Sequence, residues 1–249
     1  MNRSLIIVVL LVTGSAIHTL DGQDIDSLLR NKRVYRSESL GNRTPPQIDG
    51  VLDDSVWSLG RWQGKFIQQF PHGGMPATEQ SKFKILYDRS NLYVAINCLD
   101  SEPGKIRNIL SRRDSRGWDM AGIALDSYFD KRTAFEFSLT AAGQKMDLKH
   151  LGDYHFDMNW DAVWDGASSV SDSGWTAEMQ IPLSQIRYAG REEHVWGLHI
   201  YRLISRKRES DSWQHIPREA PAMVYLFGEL HGIRDIRTSR QVELLPYLL

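Results

Sequence analysis

From residue 64 onward apolar side chains recur at every second position. Phe66, Gln68 and Phe70 share one side of an extended segment, and Phe83, Ile85 and Tyr87 then alternate with Lys82, Lys84 and Leu86. A strand with one face against a core requires this period of two, because successive side chains point to opposite sides. Residues 92–98 are apolar on both sides except at Tyr93 and Asn97, which predicts a central strand covered on both faces. The alternation returns at 123–128, at 134–139 with Phe135, Phe137 and Leu139 on one face, and at 175–181 with Trp175, Ala177, Met179 and Ile181 on one face. It recurs at 195–204 and 223–227.

Gly, Asp, Asn and Pro separate these runs, as at 88–91, and no long segment has a 3.6-residue period. The prediction is an all-β fold, an antiparallel β-sandwich with very little helix. Single helical turns are expected at 24–30, 103–110 and 182–186, the last two opening on a proline. The sandwich is placed at 46–230, after a leader at 17–45. Residues 231–249 form a further C-terminal strand that alternates and then stops on Tyr247, Leu248 and Leu249. Such a strand either pairs back onto the sandwich or begins something longer.

Composition narrows the setting. Arg3, the apolar run 5–12 and the small residues Gly14, Ser15 and Ala16 form the pattern of an export signal at 1–16, with an apolar run too short to cross a bilayer. The expected location is therefore outside the cytoplasm: periplasm, outer membrane or secreted. The one cysteine, Cys98, excludes an intrachain disulfide and does not stand where a lipoprotein signal would need it. Lys plus Arg is 30 and Asp plus Glu is 31, so the chain carries no nucleic-acid footprint. Eight tryptophans serve β cores and stacking platforms equally well, so their number does not separate the two uses.

Residues 48–57 join a turn, Asp49-Gly50, to the carboxylates Asp53 and Asp54 and the apolar residues Val51, Leu52, Val56 and Trp57. Three carboxylates within six residues need backbone donors, a basic side chain or a hard cation among them. Two readings stand: an Asx turn with a solvated acidic face, or a structural calcium site.

Four landmarks occur in order: residues 48–57; Ile85-Leu86-Tyr87-Asp88 followed by Asn91-Leu92-Tyr93-Val94; Leu125-Asp126-Ser127-Tyr128; and residues 174–182, Gly-Trp-Thr-Ala-Glu-Met-Gln-Ile-Pro. Together they resemble the family 9 carbohydrate-binding module, above all the version at the N-terminus of a group of bacterial outer-membrane proteins of undefined function. The resemblance implies a non-catalytic β-sandwich that grips an oligo- or polysaccharide between two tryptophans, with calcium holding loops in place. It implies a role in a polysaccharide-degradation system. It also implies that longer relatives continue, after segments like 228–233 and 242–247, into an outer-membrane β-barrel in cis.

Carried onto this sequence, the resemblance sets Trp118 and Trp213 at the two faces of the clamp, each in a polar loop. Arg113 and Asp114 either pair with each other or reach sugar hydroxyls. Asp49, Asp53, Asp54 and Asp126 are the candidate calcium ligands. The chain departs from the family after Trp118: Gly122 lies near an expected acid and Glu136 stands where an arginine is expected, so the family's sugar preference does not carry over. Trp160 and Trp164, four residues apart, either cover a sheet edge or extend the binding face.

Competing chemistries are few. Asp161 with Asp165, or Glu136 with Asp126, could supply the carboxylate pair of glycoside hydrolysis. His150 and His155 with Asp153 and Asp157 could hold a metal, and Met120, Met146, Met158 and Lys149 are available to a haem. A fourth alternative is an accessory domain that binds no sugar. The chain has no zinc signature, phosphate loop or Ser-His-Asp order.

Overall fold

The alternating segments pair into two facing sheets. The computed structural model describes residues 22–108, 118–152, 154–218 and 220–236; residues 1–16, where an export signal is predicted, Arg113, Asp114, Asp153 and residues 237–249 lie outside them. One helix, α1 (Gly22–Arg30), precedes the strands β1 (Val34–Arg36), β2 (Glu38–Ser39), β3 (Ile67–Phe70), β4 (Ser81–Tyr87) and β5 (Asn91–Leu99). Next come β6 (Met120–Asp126), β7 (Ala134–Thr140), β8 (Lys145–Gly152), β9 (His155–Asp157) and β10 (Asp165–Ser171). The last four are β11 (Gly174–Pro182), β12 (Glu193–Ile204), β13 (Glu209–Ser212) and β14 (Gly228–Arg234). Among the described residues, one sheet has nine strands in the order β1-β14-β12-β6-β7-β8-β9, with β13 branching from β12 and β3 pairing with β13; the other has five, in the order β10-β11-β5-β4-β2.

The predicted all-β sandwich is the observed fold, antiparallel apart from two short additions: β1 runs parallel to β14 and β2 parallel to β4. These two strands come from the segment assigned to the leader. Within it, Val34–Arg36 pairs into the nine-stranded sheet and Glu38–Ser39 into the five-stranded one. Of the predicted turns, Leu183–Gln185 and Pro103–Lys105 form single 3-10 turns. The run 223–227 is not a strand; Val224–Leu226 makes a 3-10 turn whose buried residues lie against the outer face of the nine-stranded sheet.

The core between the sheets follows the alternation: Phe83, Ile85, Val94 and Ile96 on one side, Ile123, Phe137, Leu198 and Ile200 on the other. Each such side chain contributes roughly 1.5–3 kcal/mol by leaving water. Both outer faces are also partly covered. Ile25, Leu28 and Leu29, spaced for one face of α1, pack with Val224, Leu226 and Phe227 beside Ala124 on the nine-stranded sheet. Val56, Trp57 and Leu40 cover Leu86, Tyr93 and Ala95 on the five-stranded sheet, which explains why β5 is apolar on both faces. Arg202 of β12 takes an inward position but is not orphaned. It donates to the Leu99 carbonyl at 2.7 Å, and to Ser81 and Asp100 at 3.2 Å, while Arg206 bridges Asp100 and Glu79.

Candidate functional site

Strand alternation that sends Ile123, Phe137 and Ile200 inward sends Gly122, Ala124, Glu136, Ser138, His199 and Tyr201 outward. The register puts Tyr201 beside Gly122 and Gly122 beside Ser138. Gly122 is required there: a Cβ would lie 2.8 Å from the Tyr201 ring, its hydroxyl oxygen and the Ser138 Cβ. The tyrosine can therefore lean across β6, and its hydroxyl donates to Glu136 Oε1 at 2.6 Å. His150 Nε2 lies 2.7 Å from Glu136 Oε2, so both carboxylate oxygens are engaged.

Burial first, then the Glu136 charge beside it, raises the Tyr201 phenol well above its ordinary range, so it remains a donor at neutral pH. His199 stacks between Tyr201 and Phe227, with ring centroids at 5.6 and 5.0 Å. Burial lowers its pKa to about 4, against a smaller opposing pull from Glu136, so it is a neutral ring at pH 7.

This floor opens to solvent. Met120, Leu148, Phe156 and Met158 border a chamber of about 300 Å³ over Glu136, His150 and Tyr201. A second chamber of about 460 Å³ lies beside it, lined by Phe70, Tyr154, Ile216, Pro217 and Arg218. Gln69, Ser210 and Met223 border both, so the two make one groove. Trp118 stands half-buried two residues before Met120. The Ala141 N–H donates to the Asp119 carbonyl at 2.8 Å, extending the β6–β7 ladder by one residue. The alternation then sets Trp118 on the side of Met120.

The structure separates the sequence candidates. Glu136 lies in the groove and Trp118 at the head of β6. Trp213 does not: it is 1% exposed, edge-on to Phe83 at 5.2 Å with the Arg33 guanidinium 4.7 Å from its ring. Residues 210–213 read as a polar loop, yet 209–212 form β13, where Asp211 and Ser212 are fully buried. Trp164 is 5% exposed in the core, and Trp160 packs on Phe135 and Phe137 at 5.3 and 5.5 Å. They cover the flank of the sandwich rather than extend a binding face. Lys149 sits over Trp160 on the face opposite Met120 and Met158, so the four haem candidates do not converge.

The acids also part company. Asp49 Oδ1 accepts the Val51 N–H at 2.8 Å and Asp54 Oδ2 accepts the Gln47 N–H at 2.9 Å. Asp126 accepts the N–H groups of Asp130 and Lys131, and Asp53 is exposed. Among the described residues no three His, Cys, Asp or Glu side chains gather as metal ligands, so these four acids do not fit a shared calcium site. The Asx turn accounts for Asp49. The groove residues the sequence reading passed over, His199 and Tyr201, lie in a strand it did predict. Their signal was polar aromatics at outward positions of the run 195–204.

Residues 48–212 match the model of the family described as carbohydrate family 9 binding domain-like. Among curated proteins none matches. Among solved structures, the chain is similar to a family 9 carbohydrate-binding module from Caldicellulosiruptor kristjanssonii. In its complex with glucose the identity is 18% and the TM-score 0.53, covering 86% of this chain and all of the other. In its complex with cellotriose the identity is 18% and the TM-score 0.55 over the same shares. A Bacteroides uniformis protein proposed to bind carbohydrate has 14% identity and a TM-score of 0.63, over 80% of this chain and 99% of the other. At these identities the likeness establishes a shared fold.

Proposed function

This chain belongs to the carbohydrate family 9 binding domain-like family, and from that premise we propose that it binds a saccharide, without altering it, in the groove over Gly122 and Glu136. The observation that carries this reading is the Glu136 carboxylate held between Tyr201 and His150 on the floor of an open groove. A saccharide needs fixed polar groups for its hydroxyls and apolar surface for its C–H faces. Here Glu136 supplies acceptor lone pairs not used by its two donors, and Met120, Leu148 and Phe156 supply apolar walls. Trp118 offers an indole at the head of β6. A clamp of two tryptophans is not part of the proposal, because Trp213 is in the core.

The assignment to binding rather than hydrolysis has its own chemical support. Glu136 lies on the groove floor, tied to two side chains, while Asp126 is not part of the groove's lining, so the two do not flank one sugar as a hydrolytic pair. We also propose, from Arg3 and the apolar run 5–12, that the module works outside the cytoplasm; fractionation of expressing cells checks this.

Calorimetric titration with neutral and acidic cello-, xylo- and manno-oligosaccharides tests the binding. Heat is expected with at least one, and Glu136→Gln and Tyr201→Phe should each weaken it roughly tenfold while melting stays cooperative. Silence across the whole panel would remove the proposal.

A further inference from the structure

The larger chamber of the groove differs from the smaller one in charge. Its lining of Gln69, Phe70, Tyr154, Ser210, Ile216, Pro217, Arg218 and Met223 holds one cation and, among the described residues, no acid. The Arg218 guanidinium lies 5.8 Å from the centroid of the Phe70 ring, exposed, with no ion-pair partner among the described residues. The other chamber has the reverse charge, with Glu136 on its floor.

We propose that the groove takes an acidic saccharide, with a neutral sugar over Glu136, Tyr201 and His150 and a uronate residue at the Phe70 end, its carboxylate on Arg218. The inference rests on the saccharide-binding reading above. A guanidinium presents a planar fork of donors that matches a carboxylate in two parallel hydrogen bonds. Phe70 and Pro217 offer the uronate ring an apolar surface for its C–H face. The charges also fix direction: a carboxylate over Glu136 would be repelled, so the ligand lies with its acid away from the β7 strand. A wholly neutral oligosaccharide leaves Arg218 without a partner in the groove.

The test compares matched pairs by calorimetry: xylotetraose with and without one glucuronic acid substituent, and cellotetraose with and without its terminal C6 oxidised to a carboxylate. For at least one pair the acidic member should bind roughly tenfold or more tightly. That ratio should fall toward one in Arg218→Gln, recover in part in Arg218→Lys, and shrink as salt is raised. Arg218 is exposed, so these variants should melt like the parent chain. Equal binding within both pairs overturns the inference and leaves saccharide binding standing. A preference that survives Arg218→Gln overturns the role of Arg218. No binding by any of the four overturns the inference together with the reading beneath it.

Discussion

The indole N–H of Trp57 donates to Glu178 Oε1 at 2.8 Å, across 121 positions of sequence. The other carboxylate oxygen accepts the backbone N–H groups of Gly50 and Asp49 at 3.1 and 3.2 Å. Two of the sequence landmarks thus meet at one buried carboxylate on the outer face of the five-stranded sheet. Gly50 has φ of +86°, and a Cβ there would lie 2.7 Å from the backbone of Ser168, so the turn is pressed flat on β10. The Thr176 hydroxyl also donates to the Gly50 carbonyl. Crowded acids and an aromatic that suggested a site are instead the fastening of a loop.

Trp57→Phe keeps an aromatic ring of smaller volume and removes the indole N–H donor from Glu178. The expected loss is about 1–2 kcal/mol in urea unfolding. Glu178→Gln should cost a similar amount, and the double variant less than the sum of the two. Strict additivity would show that the contact contributes nothing.

Stability should depend on pH through buried carboxyls. Asp211 is fully buried beside Glu209. Burial, and then the neighbouring Glu209 charge, push it up to about 8. The unfolded chain releases this proton near its ordinary value of 3.8, while the native chain keeps it until about 8. Its contribution is therefore complete below pH 4 and lost as pH rises to 8. Glu178, raised to about 7 chiefly by burial, acts in the same direction. For Glu79 burial works upward, but hydrogen bonds from Lys207 and Ser101 prevail and hold it at about 2. Its contribution is present above pH 4.5 and lost as pH falls toward 2. Asp211→Asn should flatten the decline between pH 4 and 8; parallel curves for the two proteins would exclude a neutral Asp211.

Trp118 and Trp213 should behave oppositely. Trp213→Ala removes a fully buried ring from the core and is expected to cost about 3–5 kcal/mol. Trp118→Ala should lower saccharide affinity several-fold with a small change in melting temperature. Thermal melts alongside titration of both variants distinguish the two roles.

Gly122→Ala tests the groove floor. The added methyl would contact Tyr201 and Ser138 at 2.8 Å, and displacing the tyrosine breaks its bond to Glu136. A destabilisation of about 1–3 kcal/mol is expected, with a larger proportional loss of binding than Ser138→Ala gives. Unimpaired titration of Gly122→Ala would show that the Tyr201–Glu136 bond is not needed for binding.

The strands legible in the sequence were those with one face in the core. Phe83, Ile85 and Tyr87 announce β4, and Phe135, Phe137 and Leu139 announce β7, because a buried face imposes a period of two. Edge strands impose no such pattern. In β10 the residues are Asp, Gly, Ala, Ser, Ser, Val and Ser, and its backbone pairs with β11 alone. The short β1 and β2 have too few residues for a period to show, and β13 hides buried polar groups in a polar stretch.

By itself, the sequence determined the class of fold, the covered central strand β5, the family and the importance of residues 48–57, all consequences of local pattern and short-range turn chemistry. Only the tertiary structure decided that Trp57 serves Glu178, that Trp213 is core, and that Gly122, Glu136, His150 and Tyr201 form one floor. Those relationships join strands far apart in the chain. Which side chains meet depends on strand order and register, which no local pattern of apolar and polar residues encodes.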